Sequence, residues 1–490
     1  MIKKLFPIAF GFTALLVLLT LDGNCQIAIS DTISGVLIDT VYLVEDTIIV
    51  APGDSLIIEP GAVLLFNFVT TAEIFGYFYA VGTEEDSIIF CSASEEFEWS
   101  TINFRNSGYT TAELGYCHFS QASKSAINIF FDANVHIHHS TVENNHANWG
   151  GGIYISYASP LIEYCVVRNN WSVNNGGGIY NTHSNSVIEN CLVYNNSSDN
   201  GGGGSGQGGG GICANHGSSV TINNCLIYDN DTFGRGGGIV CNDESNAYIS
   251  RSAIYGNSST HQGGGLFITF ANPVIENCTI YNNSADSSGS GMGIYYTSLP
   301  DIKNCLIYNN NNVGVDILYA PDPEITYSDI FGNTGGEIVF DSLAVPGLGI
   351  NSAINANGDS CDVFFNIMLE PLLVDPLSAN FALTANSPCI DAGSPFSALD
   401  PDGTVADIGA MYFPQLNQNI IADLVITMQG DNVYLSWTAI PAAEIYHIYR
   451  AEEPYFDISG MTPLGNSITP EYLDVEGGAG EKWFYAVSWE

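Results

Sequence analysis

The sequence predicts an all-β chain: a right-handed parallel β-helix (solenoid) followed by a small β-sandwich. Three observations carry that reading. A repeat of roughly 23–28 residues runs through the middle of the chain, aliphatic and small residues recur in it at fixed offsets, and each repeat carries a glycine run. A period of this size marks a solenoid, in which each repeat buries its apolar face only against its neighbours.

The columns set the geometry. Aligned on a small residue, Cys117, Ser140, Cys165, Cys191, Cys225, Ser252, Cys278, Cys305 and Ser328 fall into register. Three positions earlier stand Leu114, Ile137, Ile162, Ile188, Ile222, Ile249, Ile275, Ile302 and Ile325. Two positions later stand Phe119, Val142, Val167, Val193, Ile227, Ile254, Ile280, Ile307 and Ile330. Five positions later Ala122 occurs once, then Asn145, Asn170, Asn196, Asn230, Asn257, Asn283, Asn310 and Asn333. The small residue and the aliphatic two places on share one face of a strand. The Ile three places back breaks that parity, so a bend lies between, and Asn190, Asn224, Asn277 and Asn304 suit the left-handed conformation it needs. Glycine runs at Gly150–Ile153, Gly176–Ile179, Gly208–Ile212, Gly236–Ile239 and Gly263–Leu266 permit a second sharp turn. Three short strands and three turns per rung follow. Stacked about 4.8 Å apart, the rungs turn every column into a ladder, with Asn amides bonding along their own stack.

The elements follow in order. Lys3 and Lys4, the apolar run Leu5 to Leu21 and polar Asp22-Gly23-Asn24 form a signal-peptide layout over residues 1–25, with cleavage expected before Gln26. Asp22-Gly23-Asn24 is a poor lipobox for Cys25, and no later apolar stretch approaches the ~20 residues that cross a bilayer. A secreted or cell-surface location is therefore expected. Residues 26–110 are the opening rungs, 111–345 the regular repeats and 346–413 the closing segment. From Ile420 the rung pattern stops. Val433–Trp437, Ile445–Arg450 and Trp483–Trp489 read as strands of a sandwich over 420–490, with Trp437 as its core residue and Tyr485 as a tyrosine-corner residue. The final edge strand of such a module is missing from the pattern.

The pairs Gly-Gly-Gly-Ile and Ile-Tyr-Asn-Asn (Ile280–Asn283, Ile307–Asn310) resemble the repeats of chlamydial polymorphic outer-membrane proteins, and the wider plan resembles pectin-lyase-like β-helices. Ile48–Gly61 and Trp99–Phe104 are similar to the opening rungs of secreted bacterial β-helix proteins. Ser387–Gly393 and Asp400–Ala410 resemble the segment that closes them, and residues 420–490 resemble a fibronectin type III module. The resemblance implies the fold; the fold hosts lyases, hydrolases, adhesins and spikes alike. The N-T-D, D-D, G-H-G and R-I-K signatures of polygalacturonase-like chains do not occur. Arg105, Lys124, Arg168, Arg235, Arg251 and Lys303, the basic residues open to a pectate-lyase-like role, share no column.

Acidic residues number 52 against 10 basic ones, for a formal charge of −42. Such a surface repels nucleic acid and anionic lipid and disfavours polyanionic sugars without bridging cations. Neutral glycans, cations and basic partners stay open.

Four groups of residues are candidates for chemistry. Tyr194, Tyr228, Tyr255, Tyr281, Tyr308 and Phe331 follow the aliphatic column, so parity turns them outward; they read as a glycan-stacking stripe or as rings that seal the turn by stacking on each other. His183, His216 and Asp243 stand five residues after the last glycine of successive rungs, flanked by Tyr157 and Phe270. They read as a metal or acid–base set, or as plain turn residues. His136, His138 and His139 cluster across one bend. Asp400, Asp402 and Asp407, with Asp391, could hold calcium or form an Asp-Gly turn; no cofactor is required. The inward cysteines read as small core hydrophobes, because in-register Cβ vectors give the wrong torsion for a bridge, and Cys361 and Cys389 are the better disulfide pair. The leading expectation is a secreted binding and scaffold protein for a glycan or cell-surface component. The alternative is a polysaccharide lyase or glycoside hydrolase.

Overall fold

The computed structural model describes residues 26–106, 108–199, 208–340, 345–415, 421, 424–429, 432–440, 443–451, 462–475 and 483–489. The signal peptide expected at 1–25 lies outside them. Three parallel ladders wind into a right-handed solenoid. The first, the isoleucine sheet, has twelve strands from Gly35–Leu37 to Glu324–Thr326. The second, the tyrosine sheet, includes Cys117–Ser120, Leu192–Tyr194, Leu226–Tyr228 and Asp329–Phe331. The third, the glycine sheet, includes Thr71–Ile74, Thr101–Arg105, Ile179–Thr182 and Ile212–Asn215 and ends at Ile338–Phe340. A fourth ladder of two-residue strands, His146–Ala147 to Ser284–Ala285, sits between the second and third.

Register follows the sequence columns. Ile188 pairs with Ile222, Ile222 with Ile249, and Tyr228 with Tyr255. Every residue of both aliphatic columns from Leu114 to Ile330 is buried, at 1 % exposure or less, in one continuous core. Each bend has its own device. The residue before the small column is left-handed in every rung from Tyr116 to Tyr327, including Asn190, Asn224, Asn277 and Asn304 (φ 49–54°). The buried thiols donate to backbone carbonyls across that bend, Cys191 Sγ to Glu189 O at 3.1 Å and to Ile162 O at 3.5 Å. Serines substitute for them: Cys225 N–H donates to Ser252 Oγ at 3.1 Å. At the second bend the Asn amides link rung to rung at 2.9–3.1 Å from Asn145 to Asn333. Gly237 shows why the glycine run is needed. A Cβ there would come within 2.3 Å of Ser258 O and 2.5 Å of Gly264 O.

Three features depart from the expectation. The step from Asn196 to Asn230 is 34 residues, longer than the expected rung, and residues 200–207 inside it lie outside the described residues. The parallel ladders end at Phe340; the closing segment instead forms antiparallel pairs, Ala353–Ile354 with Ser360–Cys361 and Leu373–Asp375 with Asn380–Leu383. Cys361 and Cys389 are free thiols, so the disulfide expected of them is absent, and Cys389 Sγ instead lies 3.4 Å from the buried Asp329 carboxylate.

The described residues up to Ser394, with Asp407–Tyr412, form one compact unit; Pro395–Ala406 and the described residues from Phe413 onward form a second. In the second unit, strands Val425–Gln429, Asn432–Ser436 and Glu471–Asp474 make one antiparallel sheet, and Gly465–Ser467, Tyr446–Ala451 and Phe484–Trp489 another. Val433, Leu435, Trp437, Tyr446, Ile448 and Val487 pack between them. Trp437 is the core residue expected. Tyr485 is not a corner residue in the expected sense, because its hydroxyl donates to the Asp474 carboxylate at 2.7 Å, beside Arg450, rather than to backbone.

Candidate functional site

The outward tyrosine column does not form an open platform. Tyr194, Tyr228 and Tyr255 stack face to face with centroids 4.7 and 4.9 Å apart; Tyr281, Tyr308 and Phe331 form a second stack at 5.6 and 6.5 Å. The closing segment packs where the two meet. Phe381 sits edge-on to Tyr255 and Tyr281 at 5.2 and 5.6 Å and is itself buried, with Leu373 and Met411 beside it. Tyr281 keeps 4 % exposure. Phe381 thus covers Tyr255 and Tyr281 in the middle of the column, while Tyr194, Tyr228, Tyr308 and Phe331 are half-buried.

The exposed stripe lies at the third bend instead. Tyr157, His183, His216, Asp243, Phe270, Tyr296 and Tyr319 occupy its left-handed position in successive rungs, preceded by Phe131. A left-handed residue at a sharp corner throws its side chain outward, and these rings are about half exposed: Phe131 55 %, Tyr157 49 %, Phe270 51 % and Tyr319 53 %. Phe131 stacks on Tyr157 at 6.3 Å, Tyr157 on His183 at 4.4 Å and His183 on His216 at 5.5 Å. Phe270, Tyr296 and Tyr319 form a second stack at 5.3 and 5.8 Å. Stacked this way, the rings turn their edges to solvent. Asp243 interrupts the series, its carboxylate bonded to His216 Nδ1. At that interruption His183, Asn185, His216, Gly217, Asp243 and Glu244 line an open pocket of about 480 Å³. His183 Nδ1 lies 3.0 Å from Thr182 Oγ1. The structure thus brings His183, His216 and Asp243 together, as turn residues that share a pocket.

The cap aspartates divide between the two units. In the second, Asp402 accepts from Thr404 N–H, Thr404 Oγ1 and Gln415 N–H at 3.2, 2.7 and 2.7 Å, and Asp400–Gly403 closes a turn. In the first, buried Asp407 accepts from Asp391 N–H at 2.7 Å. The Asp402 carboxylate thus fixes its own turn, and that of Asp407 ties its segment to the one at Asp391.

One cluster was not read from sequence, and a second, at His136 and His138, was read there without its glutamates. Glu143 lies 3.0 Å from His118 and 2.5 Å from Arg168. Burial pushes its carboxyl up, but these two partners outweigh that and hold it down to about 2. On the outer face of the isoleucine sheet, Glu113 and Glu163 flank His136 and His138: His136 Nε2 is 2.8 Å from Glu163 Oε1 and His138 Nε2 is 3.4 Å from Glu113 Oε1. Burial and the neighbouring His136 lower the basicity of His138. The glutamates were legible as the residues one place before Leu114 and one place after Ile162, the positions that face away from the core.

Residues 95–237 and 237–363 match the model of the family described as right handed beta helix region. The chain belongs to that family. Among solved structures, this β-helix protein is similar to the crystal structure of the pectate lyase Pel9A, at 14 % identity and a TM-score of 0.27, over 72 % of this chain and 88 % of that one. It is also similar to a mannuronic-acid-specific polysaccharide family 6 lyase from human gut microbiota, at 13 % identity and a TM-score of 0.28, over 65 % and 79 %. No curated protein matches the chain.

Proposed function

We propose that the chain is a secreted or cell-surface binding and scaffold protein that takes a neutral glycan on the third-bend stripe. The observation that supports this is the pocket at Asp243, set within a line of half-exposed rings. An exposed apolar stripe on a soluble protein often marks a contact surface. Ring edges here offer apolar contact for sugar C–H groups, while Tyr hydroxyls, His nitrogens and the Asp243 and Glu244 carboxylates match sugar hydroxyls. The formal charge of −42 favours a neutral chain over an acidic one. The solenoid supplies rigidity, since every rung is held by its neighbours.

Polysaccharide cleavage is the second reading, favoured by one arrangement: an imidazole bonded to a carboxylate in an open pocket can shuttle a proton. One experiment separates the two. The mature chain is run against neutral and acidic glycans, scoring retention and new reducing or unsaturated ends. Retention of a neutral glycan without new ends supports binding. New ends that vanish in His216→Ala support cleavage.

A further inference from the structure

We propose that Glu113, His136 and His138 bind one divalent transition-metal ion of zinc's class, on a face of the solenoid separate from the third-bend stripe. Their ligand atoms lie within 4.8 Å of one another. Two imidazoles and a carboxylate are the donors zinc prefers, and three protein ligands leave a fourth position open. The fold places them without strain. Glu113 pairs in register with His136 on the next strand, and His138 pairs with Glu163 on the strand after. All four side chains point away from the core because the residues between them, Leu114, Ile137 and Ile162, are buried.

Two further observations point to a held imidazole. Gly115 lies under the His138 ring: a Cβ there would come within 2.3 Å of Cε1 and 2.6 Å of Nε2. The equivalent positions in the following rungs carry Glu163, Glu189 and Asn223, so the missing side chain is particular to this rung. His138 Nδ1 also lies 3.2 Å from His139 Nδ1. With His138 donating there, its Nε2 lone pair is left facing Glu113, the arrangement that supporting groups impose on metal-binding histidines. His139 is itself held in a stack between Tyr116 and Tyr164 at 4.8 and 5.0 Å. Glu163 Oε1, 2.8 Å from His136 Nε2, is the acceptor that orients His136. A cation would tie together two successive rungs, Thr111–Gly115 and Asn134–His138. Binding displaces protons from imidazole, so affinity rises with pH.

The test is calorimetric titration of the chelator-treated full chain with Zn²⁺, with melting temperature followed in parallel. One saturable tight site is expected. His136→Gln with His138→Gln should weaken it by more than ~100-fold, beyond the loss that a supporting residue causes. Gly115→Ala, which removes no ligand, should weaken it by about 10-fold, as displacement of a supporting group does. Both variants should melt within a few degrees of the parent when no metal is added, because the two histidines stand on the outer face of the sheet and the atoms nearest a methyl at buried Gly115 all belong to the His138 ring. His183→Gln with His216→Gln should leave the tight site intact. No saturable site in the parent, or a site lost with His183 and His216 rather than with His136 and His138, overturns the proposal.

Discussion

The Asn230 side chain makes four hydrogen bonds in the core of the second bend. Its Oδ1 accepts from Asn196 N–H and Nδ2, and its Nδ2 donates to Val193 O and Asn257 Oδ1. Alanine at this fully buried position leaves several buried groups without partners. Since each such group costs about 1–3 kcal/mol, Asn230→Ala should lose about 3 kcal/mol in denaturant unfolding. Glu143 gives a second residue-scale expectation. Its folded pKa, down to about 2 against an ordinary 4.5, means the unfolded chain binds the proton more readily. Its contribution is therefore present above pH 4.5 and lost as pH falls towards 2. Arg168→Gln should remove part of it, about 1 kcal/mol at pH 7 given solvent screening. That difference from the parent should shrink below pH 4.5.

At the scale of elements, strand parity placed the rings from Tyr194 to Phe331 on the outer face, and they are there. Parity could not show what covers them. Phe381 lies far along the chain in a segment with no repeat, and only tertiary packing brings it onto Tyr255 and Tyr281. Phe381→Ser should cost about 3 kcal/mol, the usual range for removing a buried aromatic ring, read as a lower unfolding midpoint. The third bend was legible as a column of turn residues, His183, His216 and Asp243. Its extension to Tyr296 and Tyr319 was not, because it shows only when left-handed backbone is traced through every rung. The thiol column reads the same way from sequence and structure. Non-reducing alkylation under denaturing conditions should label Cys191, Cys225 and Cys278, and a Cys191–Cys225 bridge would contradict the packing described.

Over the whole molecule, the solenoid was legible because its contacts repeat. When residue i always meets its counterpart one rung on, a column in the sequence is a ladder in space. The closing segment, the antiparallel turn of residues 353–361 and the hydrogen-bonding of Tyr485 do not repeat, so no column announces them. The same logic separates the two aromatic ladders: both repeat, but only one is left open to solvent. The most direct measurement is retention of a neutral glycan by two triple variants, read alongside melting temperature. Tyr157→Ser, Phe270→Ser and Tyr296→Ser should abolish retention while melting stays within a few degrees of the parent, because these side chains stand outside the core. Tyr228→Ser, Tyr255→Ser and Tyr281→Ser should lower the melting temperature and, wherever the chain is still folded, leave retention intact. Retention that survives the first variant and is lost with the second in folded protein would contradict the account.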